Sequence, residues 1–188
     1  MSKREFKPGC MLYPVPAVLV TCADNEGNDN MITLAWVGTV NSEPPMVSIS
    51  VRRSRYSFPM IEKTGEFVIN LTTEPMVEMV DKAGVISGAK EDKWKMTGFT
   101  KEKASKVNCP LIKESPVNIE CKVTEAKDLG SHVMFLAEVV AVDVDDQYFD
   151  ENDRFNMDDM RLVAYNHGSY MSLDKVLGTF GFSVRKDK

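Results

Sequence analysis

The stretch from Val117 to Asp145 constrains the fold more than any other part of the chain. Val117, Ile119, Cys121 and Val123 alternate with Asn118, Glu120, Lys122 and Thr124. A period of two puts the first set on one face of an extended strand and the second set on the other. Asp128-Leu129-Gly130-Ser131 then turns the chain, and His132 to Asp145 continues as a long strand. Two adjacent amphipathic strands with a short turn between them must pair antiparallel, because a parallel pair needs a crossover of about a dozen residues or more. The apolar face of that pair requires a core, which the rest of the chain must supply.

Further strands follow from the same pattern. Ala17 to Cys22 reads as a strand, Ala23 to Asp29 as a turn cluster, and Asn30 to Val37 as the second arm of a hairpin. Along that arm Ile32, Leu34 and Trp36 point one way, and Met31, Thr33, Ala35 and Val37 the other. Met46 to Arg52 sets Val47, Ile49 and Val51 against Ser48, Ser50 and Arg52, with Glu43-Pro44-Pro45 marking the connection ahead of it. Phe67 to Leu71 is another strand. A short helix starts with Ser57 as its N-cap and Pro59 in its first turn, and Gly65 ends it. A second starts at Thr73-Glu74-Pro75, is apolar at Met76, Val77, Met79, Val80 and Ala83, and stops at Gly84.

Three segments stand outside this scheme. Residues 1–9 form an N-terminal arm, and residues 85–110 a Lys-rich excursion with one helical turn around Asp92 to Met96. That excursion is too short to hold its own core. Residues 143–160 carry eight acidic side chains and one arginine, Arg154, without the central glycine of a calcium-binding loop, and read as a solvated acidic loop. Strands outnumber helices and hairpins link them. The expected fold is therefore a single domain over 1–188, mainly β, an antiparallel barrel with short peripheral helices.

Composition narrows the function classes. The chain has 23 basic and 28 acidic side chains, a net charge of −5, which argues against general affinity for nucleic acid or anionic membrane. The start lacks an apolar signal core, and the best apolar run, Val133 to Val142, is interrupted by Glu138, so a soluble cytoplasmic protein is expected. Cys10, Cys22, Cys109 and Cys121 stand alone, and His132 and His167 lie at no metal-ligand spacing, which argues against a zinc site. Neither G-x-G-x-x-G nor G-x-x-x-x-G-K-[ST] occurs.

Four stretches concentrate unusual chemistry. In Thr33 to Thr39, Ala35 and Gly38 would let a flat ligand lie against the backbone; an ordinary barrel strand is the plain alternative. In Ser48 to Ser57, Arg52, Arg53 and Arg55 with several hydroxyls lead into a helix start, which suits phosphate; a solvated basic turn is the alternative. Gly130-Ser131-His132 opens a strand with a histidine, and Tyr165 to Tyr170 sets aromatics around Gly168, where packing is the default role.

Those stretches occur in order with Pro16-Ala17-Val18-Leu19-Val20-Thr21, Glu43-Pro44-Pro45-Met46-Val47-Ser48, Gly65-Glu66-Phe67-Val68-Ile69-Asn70-Leu71, Ser87-Gly88-Ala89-Lys90-Glu91-Asp92-Lys93, Glu120-Cys121-Lys122-Val123 and Leu177-Gly178-Thr179-Phe180-Gly181-Phe182. From about Cys10 to Phe182 this ordered set resembles the flavin reductase-like family with the FMN-binding split barrel, and within it the flavoredoxin-type branch. The resemblance implies a homodimer of Greek-key barrels that binds FMN noncovalently near the subunit interface. It implies that Thr33, Ala35, Trp36, Val37, Gly38 and Thr39 line the flavin ring, that Ser50, Arg52, Arg55 and Ser57 hold the phosphate, and that Lys93 adds a contact. Many reductases of the family carry Gly-Asp-His where this chain has Gly130-Ser131-His132. The matching His132 implies a role in orienting the nicotinamide of NADH or NADPH during hydride transfer to flavin. The serine in place of aspartate opens an alternative, an electron carrier reduced by a redox protein partner. A flavin-binding module without turnover is the third reading.

Overall fold

The structure, a computed structural model, describes residues 1–185. In chain order the strands are β1 (Val15–Pro16), β2 (Val18–Ala23), β3 (Asp29–Leu34), β4 (Val37–Ser42), β5 (Pro45–Val51), β6 (Glu66–Leu71), β7 (Lys101–Glu102), β8 (Leu111–Ile112), β9 (Val117–Asp128), β10 (Val133–Val144), β11 (Val163–Asn166) and β12 (Ser169–Ser172). Three short helices intervene: α1 (Phe58–Thr64), α2 (Val77–Val85) and α3 (Lys93–Thr97). The expected mainly β, antiparallel class is the one observed. Seven strands form the main sheet in the order β3-β2-β6-β9-β10-β5-β4, every neighbouring pair antiparallel. The β9–β10 hairpin fills the space between β6 and β5, a Greek-key arrangement.

The two sheet edges, β3 and β4, are joined by only Ala35 and Trp36, so the sheet must curl until its edges meet there. Curling buries one face. Val18 and Val20 of β2, Ile32 and Leu34 of β3, Val47, Ile49 and Val51 of β5, Phe67 and Ile69 of β6, Cys121 of β9 and Phe135 of β10 share a single core. Helix α1 covers it with Phe58, Met60 and Ile61. Full burial of side chains such as Ile49, Phe67 and Phe135 is worth about 1.5–3 kcal/mol each, which offsets the cost of ordering the strands.

The curl also explains where the sequence pattern misleads. The expected unbroken arm from Asn30 to Val37 bends at Ala35–Trp36, where the chain leaves β2 for β5. The bend shifts the alternation by one residue: Val37 turns toward the core and Trp36 toward solvent. The Trp36 carbonyl instead accepts from Ser50 N at 2.9 Å.

The barrel exterior is covered on one side. Leu19 and Met31 pack under Met76, Val80 and Ala83, with Trp94 and Ile112 alongside. The 85–110 segment adds Ala104, Val107 and Cys109 against Ala23 and Val68, so much of this polar stretch is packed onto the barrel. Its expected helical turn is α3, capped by the Asp92 carboxylate, which accepts from Trp94 N and Lys95 N. The same cover buries Asn118 and Glu120, which alternation alone assigns to a polar face. Helix α2 runs through Gly84 to Val85 and does not stop there; a Cβ at Gly84 would lie 3.1 Å from Thr33 Cβ. Among the described residues no helix is long and apolar enough to cross a membrane.

Candidate functional site

The bend at Ala35–Trp36 opens a cavity of about 120 Å³ lined by Ile32 to Trp36, Ser50, Arg52, Arg55 and His132. Each element contributes for a local reason. β3 ends there, so its last backbone groups are not taken up by a continuing strand. β5 delivers Ser50 on its outward phase, opposite the buried Ile49 and Val51. The turn after β5, closed by Arg55 N donating to Arg52 O at 3.0 Å, brings Arg52 and Arg55 to one side. Strand β10 pairs Val133 with Val51, which sets His132 beside that turn.

The three arginines of this turn have different fates. Arg53 donates to Asp128 at 2.9 Å and to Glu62 at 3.4 Å, and its guanidinium lies 5.2 Å from the Phe58 ring centroid. Arg52 and Arg55 have no carboxylate partner among the described residues, and no Asp or Glu lines the cavity they face. In a chain of net charge −5 this is a local excess of positive charge in search of an anion.

That excess reaches His132. Burial, and then the charges of Arg52 and Arg55, push its imidazole below the usual histidine range. The Ser131 hydroxyl lies 2.9 Å from its Nδ1. Gly130, at φ 89°, and the Leu129 N–His132 O bond of 2.9 Å fix the turn that presents it.

A second cavity of about 110 Å³ lies behind Arg55, lined by Ser54, Tyr56, Ser57, Ser87, Gly88 and Lys93 among others. Ser57 does not cap α1 as expected: its Oγ is buried and accepts from Asn30 Nδ2 at 2.7 Å. The start of α1 offers little to an anion, because Phe58 N already donates to Arg55 O and Pro59 has no N–H. The guanidinium groups therefore outweigh the helix end. Lys93 is buried, and its ammonium donates to Met31 O at 2.9 Å and Ala83 O at 2.5 Å. Burial, followed by the Arg55 charge, pushes it down to about 8. Gly88 is required by close approach, since a Cβ there would sit 2.4 Å from Asn30 Oδ1 and 2.8 Å from Tyr56 Cδ1.

The expected site residues thus fall into three groups. Thr33, Ala35, Trp36, Ser50, Arg52, Arg55 and His132 converge on one cavity. Thr33 offers that cavity its backbone, because its Oγ1 donates to Val80 O at 2.5 Å. Ser57 and Lys93 belong to the adjoining cavity. Val37, Gly38 and Thr39 do not line the first cavity; they run along β4, where each pairs with a β5 residue. Sequence reasoning missed Tyr13. Its ring lies 6.3 Å from Trp36, 6.2 Å from Tyr165 and, edge-on, 5.5 Å from His167, so the Tyr165–Tyr170 aromatics extend the wall beside Trp36. No local pattern signals that contact, which joins residues far apart in the chain.

Comparison with known proteins agrees with this fold. A protein of Archaeoglobus fulgidus is 33% identical over 139 residues, 74% of this chain and 77% of its own. The flavoredoxin of Desulfovibrio vulgaris (Miyazaki F) superposes with a TM-score of 0.89 at 27% identity, over 97% of this chain and 99% of its own. A flavoredoxin from Methanosarcina acetivorans gives the same TM-score and identity over 97% of each chain. The model of the flavin reductase like domain matches residues 10–174. With that match spanning most of its length, the chain belongs to the flavin reductase-like family.

Proposed function

We propose that this protein binds FMN in the Arg52–Arg55–His132 cavity and works as an oxidoreductase that takes a hydride from NADH or NADPH. One observation carries the reading: two arginines without carboxylate partners among the described residues face a cavity that a bent strand end and His132 also line. Those residues suit the cofactor. Two guanidinium forks match a phosphate dianion through charge-assisted bonds, and Ser50 adds a hydroxyl. Ala35 leaves the strand end thin, so a flat ring system can reach its backbone groups.

When bound, FMN supplies the ring that accepts the hydride, which a protein side chain cannot do. The chain supplies position. Arg52 and Arg55 anchor the tail, and the Ile32 to Trp36 backbone fixes the ring edge. Trp36 and Tyr13 shield one side from water. His132, hydrogen-bonded at Nδ1 to the Ser131 hydroxyl, orients the nicotinamide carboxamide. It transfers no proton in the hydride step. The test is the visible spectrum of purified protein after FMN addition, followed by NADH or NADPH without oxygen. Flavin binding followed by rapid bleaching is expected; failure to bind FMN refutes the reading outright, and binding without bleaching refutes its reductase half.

A second reading rests on Ser131, where many reductases of the family have aspartate, and on the likeness to two flavoredoxins. In it the same site carries electrons from a protein donor. Fast reduction by a ferredoxin-type donor with slow reduction by nicotinamides supports this reading, and the reverse order of rates removes it.

A further inference from the structure

Arg53 lies in the turn that carries the two cavity arginines, yet it grips a different turn. The ends of its own turn, Arg52 and Arg55, face the cavity, while Arg53 between them reaches Asp128 at 2.9 Å. Asp128 is the last residue of β9, and Val133, the first of β10, pairs with both Asp128 and Val51. Residues 129–132 hang from that pair and end in His132.

Those four residues are held by polar contacts. Leu129, the one apolar side chain among them, is 55% exposed, so the turn has no root in the core. The two oxygens of a single carboxylate divide the work instead. Asp128 Oδ1 accepts from Gly130 N at 2.7 Å, which shapes the turn, and Oδ2 accepts from Arg53 at 2.9 Å, which ties it down. Those donors, Arg53 first, hold the Asp128 carboxyl below its usual range. Arg53 is itself braced by α1. Its guanidinium donates to Glu62 at 3.4 Å and lies 5.2 Å from the ring centroid of Phe58, which is buried in the core. A chain of contacts therefore runs from the barrel core through Phe58, Arg53 and Asp128 to the turn that presents His132.

We infer that Arg53 is a positioning residue: through Asp128 it fixes the tilt of the 129–132 turn, and so the place of His132 at the cavity that Arg52 and Arg55 face. The kinetic consequence rests on the flavin reading, with His132 at the nicotinamide, whereas the structural one needs no ligand. Arg53 and Asp128 are both half exposed, and such a pair adds little to global stability. What it adds is direction, since a guanidinium fork has a fixed plane and Asp128 is held at both oxygens. One turn then serves both halves of the site: its ends the phosphate, its middle the histidine.

The full chain without flavin gives the first test. It has two histidines, His132 and His167, so histidine-selective NMR follows each imidazole through its titration, with His132→Gln assigning the signals. A turn cut loose from Arg53 lets His132 escape the burial and the Arg52 and Arg55 charges that depress it. Arg53→Met and Asp128→Asn should therefore both raise its titration by about half a pH unit, and the double variant no further. Loss of charge acting directly would move the two in opposite directions, because one removes a cation and the other an anion. Arg53→Lys should recover part of the shift. With FMN bound, Arg53→Met should raise KM for NADH or NADPH roughly threefold and leave kcat and the FMN dissociation constant within about twofold. On a His132→Ala background it should change nothing. Opposite shifts, no shift, additive shifts, or a KM effect that survives without His132 would each overturn the positioning role. A His132 shift in a chain that binds no FMN upholds the positioning and refutes the flavin reading; an unmoved His132 in a chain that binds FMN and bleaches does the reverse.

Discussion

Arg52→Ala and Arg55→Ala should weaken FMN far more than riboflavin, and Arg53→Ala should leave both unchanged. The three arginines lie within four residues of one another, so any nonspecific loss of positive charge would affect them alike. Their surroundings differ. Arg53 is neutralised by Asp128 and Glu62, whereas Arg52 and Arg55 face the cavity with no carboxylate partner among the described residues. A hydrogen bond to a charged group is worth about 1.5–3 kcal/mol, and the exposure of both arginines favours the lower half of that range. Each substitution should therefore raise the FMN dissociation constant by roughly 10- to 30-fold, with less than twofold change for riboflavin, which lacks the phosphate. Isothermal titration of both ligands at two salt concentrations provides the assay, since the FMN difference should shrink as salt rises. Equal losses for the two ligands, or a loss with Arg53→Ala as large as with Arg52→Ala, would show that the phosphate is held elsewhere.

Other consequences concern buried polar groups. Glu120 is fully buried and accepts from Ser105 N, Ser105 Oγ, Lys106 N and Val107 N at 2.6–3.0 Å. Glu120→Gln should lower stability by about 1–3 kcal/mol, read from denaturant midpoints. Burial opposes ionisation of Glu120, but those donors outweigh it and hold the carboxyl below its usual range. Its contribution is thus present above the unfolded value and is lost as pH falls through the folded one, so the unfolding midpoint should drop in acid and Glu120→Gln should flatten that slope. Lys93 is pushed down to about 8, so the unfolded chain holds the extra proton between there and its ordinary value of 10.5. Ligand-free protein should gain stability as pH rises from about 8 toward 10, and Lys93→Met should abolish that gain. Gly88→Ala should cost about 1–3 kcal/mol and disturb the Asn30–Ser57 bond, because its methyl group would collide with Asn30 and Tyr56; an unchanged thermal midpoint would count against the close approach.

Much of the frame was legible in the chain itself. The alternation at Val117–Thr124, the Gly130 turn and the long following strand reappear as the β9–β10 hairpin, and Cys121 faces the core as its phase requires. The helical turn expected around Asp92 to Met96 is α3. The convergence of Thr33 to Trp36 with Ser50, Arg52, Arg55 and His132 was foreshadowed by chemistry and by family resemblance together. Errors arose where a residue's neighbours are distant in sequence. Ser57 has the composition of a cap, but Asn30 claims its hydroxyl. Glu120 occupies the polar phase of its strand, but the 105–107 backbone folds over it. Gly84 resembles a helix stop and instead makes room for Thr33.

Sequence alone determined that this chain makes antiparallel hairpins around one apolar face, because a period of two is a local property that each strand carries whatever its partners. It also concentrated three arginines in one turn. Tertiary structure decided which of them remain available. Asp128 lies 75 residues from Arg53 and neutralises it only because β9 and β10 bring their shared turn beside α1. Likewise the phase change that turns Val37 inward and Trp36 outward comes from closing the sheet on itself. Charge pairing and sheet closure depend on distances through space, and such distances exist only once the chain has folded.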